Sequence, residues 1–110
     1  MNPGDVVHLN WSPQSGKEMV YPHYGVVLSS SNFNKAIPNI IVAPVTSKNR
    51  PQFGALRIPI QMNSGHITGY ICLDHIRSVD PISRNLKDSS HSITSNCLGQ
   101  CRSVIKKILL

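Results

Sequence analysis

The chain has 110 residues, about the size of one domain, and 40% of them are hydrophobic, which is enough for one modest core. Eleven lysines and arginines face five acidic residues, and this net charge of +6 favours a polyanionic partner such as nucleic acid or an acidic protein, although it also serves solubility. The three cysteines are an odd count, which argues against a disulfide framework, and no apolar run approaches the roughly 18 residues of a membrane span.

The polar first residues, and the lack of an internal repeat or linker, give two further expectations. Residues 1–5 are polar and already contain Pro3 and Gly4, unlike the start of a secretory signal. We therefore expect a cytoplasmic protein. Because the chain contains no internal repeat and no linker that would divide it, we expect residues 1–110 to form a single domain.

Short β-branched and apolar runs follow one another through the first nine-tenths of the chain. Each run is too short for a helix and is bounded by polar or proline-containing segments, which is typical of strands. The predicted strands cover residues 6–11, 25–28, 40–43, 56–60, 70–73 and 76–79. Six short strands predict a mainly β fold, a small barrel or a sandwich. The charged loops 12–22 and 46–54 are the places where we expect function.

The last residues change to a helical period. Their apolar side chains recur every 3.6 residues and form one stripe, which predicts a C-terminal α-helix. The stripe consists of Ile93, Cys97, Leu98, Cys101, Val104, Ile105, Ile108 and Leu109. We expect Asp88, Ser90 or Ser92 to cap the start of this helix. Cys97 and Cys101 lie one turn apart, and this spacing favours packing over a metal site.

Several short segments match a known toxin family in order and in spacing. They are GDVV at 4–7, SP at 12–13, GKE at 16–18, GVVLS at 25–29, NFN at 32–34, VAPVTS at 42–47, DHIRSVD at 74–80 and LG at 98–99. A single segment is a weak signal, but together these segments cover essentially the whole chain. The sequence therefore resembles the MazF/PemK family of toxins.

The resemblance carries expectations about fold and activity. It implies a small SH3-like β-barrel of the CcdB/PemK type with a C-terminal α-helix, usually as a homodimer. It also implies the toxin of a type II toxin–antitoxin pair, a sequence-specific endoribonuclease that cuts single-stranded RNA and that a cognate antitoxin neutralises. An acidic antitoxin would agree with the positive charge of the chain.

RNA can be cut when its own 2′-hydroxyl attacks the adjacent phosphate, and side chains can supply the proton transfer and charge stabilisation without a metal or cofactor. The resemblance points to an arginine just before the second strand and to a threonine at the end of the third strand. The threonine corresponds to Thr46, which could equally bond its own backbone. His23 stands where the family has arginine, and it is either an acid–base group or an ordinary loop residue.

The resemblance also suggests residues for the edge of the site. Asp74 aligns with a family acid and would act as a base, hold a nucleobase edge, or serve only as a turn acceptor. His75 replaces the usual glutamine and would read a base. The residues predicted to contact RNA are Lys17, Glu18, Ser47, Lys48, Arg50 and His75.

Two other functions remain open on the same fold. The first is an RNA-binding or regulatory domain that has lost catalysis together with the family arginine. The second is a gyrase-inhibiting toxin of the CcdB type, but that family depends on a terminal Trp-Gly-Ile. This chain ends in Ile-Leu-Leu, and its single tryptophan is Trp11.

Overall fold

The computed structural model describes residues 1–11, 22–49 and 51–109. Its seven strands are β1 Asp5–Asn10, β2 Pro22–Val27, β3 Ile40–Thr46, β4 Arg57–Pro59, β5 Tyr70–Cys72, β6 Arg77–Val79 and β7 Lys87–Ser92. Its helices are α1 Ser31–Ala36 and α2 Ser95–Leu109, and 3₁₀ segments occupy Pro51–Leu56 and Leu73–His75. Within these ranges no helix has the length and apolar character needed to cross a membrane.

The strands form one antiparallel sheet in the order β4-β5-β3-β2-β1-β7, and β6 pairs with the first half of β3. The mainly β fold with a C-terminal helix is therefore confirmed. In the described part of the chain the end strands β4 and β7 do not pair with each other, so the sheet is open and the word barrel describes it only loosely.

One face of the sheet packs against α2, and we call it the helix face. It carries Val6, Val26 and Ala43, all of which are completely buried. Cys97 and Cys101 of α2 belong to the same cluster and are also completely buried. The predicted packing role of these two cysteines is therefore what the structure shows, because one turn of helix separates them and both point to the sheet.

The opposite face holds a second core, and we call it the tryptophan face. It carries Leu9 and Trp11 from the first strand region and Val27 and Val42 from β2 and β3. Trp11 lies over Gly25, where a Cβ atom would come within 2.9 Å of the indole ring. Glycine at this position therefore makes room for the indole against the sheet.

Helix α2 begins later than its apolar stripe suggested. The hydroxyl of Thr94 accepts a hydrogen bond from the backbone N–H of Cys97 at 3.1 Å, which is the bond of an N-terminal cap. The predicted caps Asp88, Ser90 and Ser92 are wrong, because all three residues lie in β7 and that strand pairs with β1.

One α-helix and one strand were absent from the prediction. Helix α1 lies within the polar segment 29–38, and the hydroxyl of Ser30 caps it by accepting the N–H of Phe33 at 3.2 Å. Strand β7 has the sequence KDSSHS, which lacks apolar alternation, and its register against β1 shifts between Val6 and Val7. Both elements depend on backbone and capping bonds rather than on hydrophobic periodicity, which explains why the pattern does not show them.

Substitution of Gly69 by alanine should destabilise the fold. Gly69 has a φ of +132°, and a Cβ there would overlap the backbone carbonyl of Thr46. We expect Gly69→Ala to lower the free energy of unfolding by about 1–3 kcal/mol, measured by urea denaturation.

The matched control is Gly99→Ala in α2. Apart from its chain neighbours and the backbone of its own helix, no described atom lies within 4 Å of the position that its Cβ would take. Alanine favours a helix interior over glycine by about 1 kcal/mol, so this variant should be more stable than the parent. Equal unfolding midpoints for the two variants would contradict the close approach of Gly69 to β3.

Candidate active site

His23 and Thr46 lie at the ends of two paired strands. β2 and β3 are antiparallel, and Gly25 stands opposite Pro44. Continuing this register by two residues on each strand brings His23 opposite Thr46. Because side chains alternate along a strand, both residues belong to the tryptophan face. The register and alternation of these two strands are thus compatible with the mechanism suggested by the sequence, and the roles of His23 and Thr46 stay predictions.

His23 is half-buried, and its backbone carbonyl accepts a hydrogen bond from Nε1 of Trp11 at 3.2 Å. Burial lowers the pKa of the His23 imidazole below 6.5, and the positive charge of nearby His8 lowers it further. An imidazole with a lowered pKa is uncharged near neutral pH. It can therefore accept a proton, but it is not a permanent cation.

Thr46 is the last residue of β3 and is only 8% exposed. Its hydroxyl oxygen accepts a hydrogen bond from the backbone N–H of Lys48 at 3.2 Å. This is the local strand-end bond that the sequence left as an alternative. The bond uses a lone pair of the oxygen and not its proton, so the same hydroxyl can still donate to a phosphate oxygen.

Asp74 lies in the 3₁₀ segment after β5 and forms a two-point ion pair with Arg57. Nε of Arg57 is 2.8 Å from Oδ1, and Nη2 is 3.0 Å from Oδ2. The two side chains are only 10% and 16% exposed, and Nε2 of His75 is 3.3 Å from Oδ2. Two parallel hydrogen bonds fix both partners, so the carboxylate orients the guanidinium.

The ion pair also determines the charge of Asp74. Burial alone would raise the pKa of this carboxyl, but the hydrogen bonds from Arg57 and the backbone, with the charges of Arg57 and His75, lower it below its usual value. The same bonds raise the pKa of Arg57. A carboxylate with a lowered pKa is a weak proton acceptor, so this geometry favours positioning over catalysis as a base.

Arg57 was not among the residues predicted for the site. It stands opposite Cys72 of β5, and Tyr70 of the same strand stands opposite Thr46. Arg57 therefore faces the same side as Thr46, two strands away and two residues further along the strands, which corresponds to a backbone separation of about 12 Å. Its guanidinium lies 4.5 Å from the centre of the Phe53 ring. An arginine at the start of an alternating strand is the only sequence signal for it.

Cys72 is completely buried between Arg57 and β3. Burial raises the pKa of its thiol to about 11, so the sulfur is protonated at neutral pH and is not a nucleophile. Among the described residues no three groups of the histidine, cysteine or acidic type lie close enough together to hold a metal ion.

The remaining predicted residues fall into two groups. Ser47 and Lys48 are exposed just after β3, and His75 is 47% exposed beside Asp74, so all three border the site. Lys17, Glu18 and Arg50 lie outside the described residues. Arg77 adds a further cation to this face, since its guanidinium lies 6.0 Å from the ring centre of Trp11.

The chain thus combines an open antiparallel sheet, a C-terminal helix and a polar cluster on one face of the sheet. A family model described as PemK-like, MazF-like toxin of type II toxin–antitoxin systems matches residues 2–109. The chain therefore belongs to this family. Comparison with curated protein sequences finds no match.

Solved structures from Deinococcus radiodurans share the fold. A crystal structure of MazF is 26% identical, with a TM-score of 0.86, covering 99% of this chain and 96% of that one. A MazE–MazF crystal structure is also 26% identical, with a TM-score of 0.81 and coverages of 99% and 95%. A second MazE–MazF structure is 24% identical, with a TM-score of 0.79 and the same coverages.

Removal of the Asp74 charge should destabilise the protein near neutral pH. Asp74→Asn leaves the buried guanidinium of Arg57 without its ionised partner, and we expect a loss of about 2 kcal/mol in the free energy of unfolding at about pH 7. Because the folded-state pKa of Asp74 is lowered, its contribution is present above the unfolded pKa of about 3.9 and disappears as the pH falls through the folded value.

Urea denaturation of parent and variant at about pH 7 and about pH 3 measures this difference. Asp88→Asn is the matched control, because Asp88 is exposed and an asparagine oxygen can still accept the N–H of Ser90. A stability difference between Asp74→Asn and the parent that persists unchanged at low pH would refute the ionised pair.

Proposed function

We propose that the chain is an endoribonuclease toxin that cuts single-stranded RNA by attack of a 2′-hydroxyl on the adjacent phosphate. Membership of the MazF-like family supports the reaction class. The observation that carries the proposal is the antiparallel pairing of β2 with β3, from which we infer that His23 and Thr46 share the tryptophan face. No metal or cofactor has a role in this proposal.

In the proposed reaction His23 takes the proton of the attacking 2′-hydroxyl. Its lowered pKa keeps the imidazole uncharged and ready to accept that proton. As the oxygen bonds to phosphorus, negative charge grows on the non-bridging phosphate oxygens, and the Thr46 hydroxyl donates a hydrogen bond to one of them. The 5′-oxygen then leaves with a proton from solvent. The products are a 2′,3′-cyclic phosphate and a 5′-hydroxyl end.

Arg57 supplies the permanent positive charge that a histidine at position 23 cannot supply. It lies on the same face as Thr46, and the Asp74 carboxylate holds it in place. Asp74 is thus a positioning residue in this proposal. A guanidinium that is oriented before the substrate arrives stabilises the developing charge without reorganising.

RNA would approach along the tryptophan face. Lys48 and Arg77 border this face and suit the phosphates, while Ser47 and His75 are placed to contact a base or ribose. We keep Lys17, Glu18 and Arg50 as proposed RNA contacts on the strength of the sequence resemblance. We also propose that residues 1–110 form a single domain, and cleavage of cellular RNA would place it in the cytoplasm.

The related MazE–MazF structures support a proposal about partners. We propose that an acidic antitoxin covers the same cations that RNA would contact, in keeping with the net charge of +6. We also propose a homodimer, as the family resemblance implies.

A second candidate function is RNA binding without cleavage. The observation that favours it is the histidine at position 23, where the family resemblance leads one to expect arginine. Incubation of the protein with a long single-stranded RNA in excess EDTA separates the two functions. Discrete fragments with 5′-hydroxyl ends support the nuclease, whereas intact, protected RNA supports the binding function.

Removal of the Thr46 hydroxyl should abolish most of the cleavage in this EDTA assay. Thr46→Val keeps the shape of the buried side chain but lacks the donor, so we expect the cleavage rate to fall by about 100-fold. Thr46→Ser is the matched control, because it restores the hydroxyl and should retain most of the activity. Equal rates for the valine and serine variants would exclude the proposed hydrogen bond.

The cleavage rate should fall at acid pH because His23 must be uncharged. Since burial and His8 lower the pKa of His23, the midpoint of the acid limb of kcat/KM should lie below 6.5. The measurement is a pH–rate profile of the parent and of His23→Arg, in which no imidazole titrates at this position. The proposed role of His23 is wrong if the arginine variant shows the same acid limb.

A further inference from the structure

A separate depression lies on the helix face, away from His23 and Thr46. It has a volume of about 600 Å³ and opens between the β1, β2 and β7 strands and the segment that connects β4 to β5. Its lining includes His8, Tyr24, His66, Thr68, Lys87 and His91. A cavity of this size falls within the range of small-molecule binding sites.

The strand register builds one wall of this pocket. Tyr24 of β2 and Lys87 of β7 both stand opposite His8 of β1, so the three side chains form a row across neighbouring strands. The rings of His8 and Tyr24 meet edge to face, with centroids 5.2 Å apart and planes at 77°. The row places an aromatic pair next to Lys87 in the strand register.

The opposite wall is held by a tight turn. Nδ1 of His91 is 2.8 Å from the hydroxyl of Ser64. Gly65 has a φ of +81°, and a Cβ on this residue would come within 3.0 Å of the His91 ring. Backbone and ring are therefore in close contact, and the imidazole is fixed in one orientation. These contacts order His91, whereas most of the other lining side chains are exposed, namely Tyr24, His66, Thr68, Lys87 and Asp88.

The chemistry of the lining points to one class of ligand. Several flat rings can stack on a nucleobase, and the ammonium group of Lys87 can bind a phosphate. The carboxylate of Asp88 can accept a hydrogen bond from the amino or imino group of a base. A metal ion is not the ligand that this geometry favours, because the described histidines do not form a three-ligand cluster.

We propose that this pocket binds one nucleotide, its base among the rings of Tyr24, His8 and His91 and its phosphate at Lys87. The nucleotide is either free in solution or one unit of a bound RNA chain. The proposal goes beyond the proposed function, because binding of a mononucleotide does not require cleavage. It assigns a second site on the face of the sheet opposite His23.

The first arm of the test uses free nucleotides and the full chain. The four ribonucleoside 5′-monophosphates are titrated separately, up to about 10 mM, against protein labelled for NMR. We expect saturable shifts at His8, Tyr24, Lys87 and His91 for at least one nucleotide. The corresponding nucleoside without phosphate should bind at least about tenfold more weakly, which corresponds to about 1.4 kcal/mol.

Two lysine variants test whether the contact of Lys87 with the phosphate contributes to nucleotide affinity. Lys87→Ala should weaken nucleotide binding at least about tenfold, because it removes the phosphate contact. Lys106→Ala is the matched control, since Lys106 is exposed near the end of α2 and lies outside the pocket. The dispersion of the NMR spectrum shows that each variant is folded. The absence of saturable shifts with every nucleotide, or an unchanged affinity in Lys87→Ala, would overturn the proposal.

The second arm identifies the source of the nucleotide. A short single-stranded RNA is titrated against the Thr46→Val variant. Because this variant should cleave RNA slowly, the RNA stays intact while its binding is measured. If RNA shifts the same pocket signals and a mononucleotide competes for them, the site belongs to the RNA path. If the RNA leaves these signals unchanged while the mononucleotide still binds, the site serves a free nucleotide. Failure of RNA cleavage in the parent protein would leave both binding measurements intact.

Discussion

Strand β3 is hydrogen-bonded along both of its edges, and this pairing holds together the strands that carry the candidate active site. One edge pairs with β2, and the other pairs first with β6 and then with β5. Its apolar residues are packed on both faces, so the strand cannot slide without exposing them. Thr46 is the residue at which this buried run ends, and the neighbouring strands bring His23 and Arg57 to the same face.

The extent to which the fold follows from the sequence depends on how much apolar pattern each element carries. Strands β1, β2 and β3 are rich in valine and isoleucine, and helix α2 has a clear stripe, so periodicity predicts all of them. Strand β7 contains no apolar residue, and it forms because β1 offers it a backbone partner. Its existence follows from tertiary pairing, which a local pattern cannot reveal.

The residues of the candidate site also differ in whether the sequence alone predicts them or only tertiary pairing reveals them. Thr46 and His23 can be chosen from the family resemblance, and alternation along β2 and β3 explains why they share a face. Arg57 cannot be chosen in this way, because its partner Asp74 is 17 residues away in sequence. Only the pairing of β4 with β5, and the 3₁₀ segment that follows β5, bring the guanidinium to the carboxylate.

Trp11 gives the molecule an internal optical reporter. It is the single tryptophan of the chain, it is 2% exposed, and its indole N–H donates to the carbonyl of His23. Tryptophan emission therefore comes from one place, beside the backbone of a residue on which the chemistry depends. A shift in the wavelength of this emission would signal local loosening around β2, even where circular dichroism shows an intact sheet. The two spectra of one sample therefore distinguish damage to the site from loss of the fold.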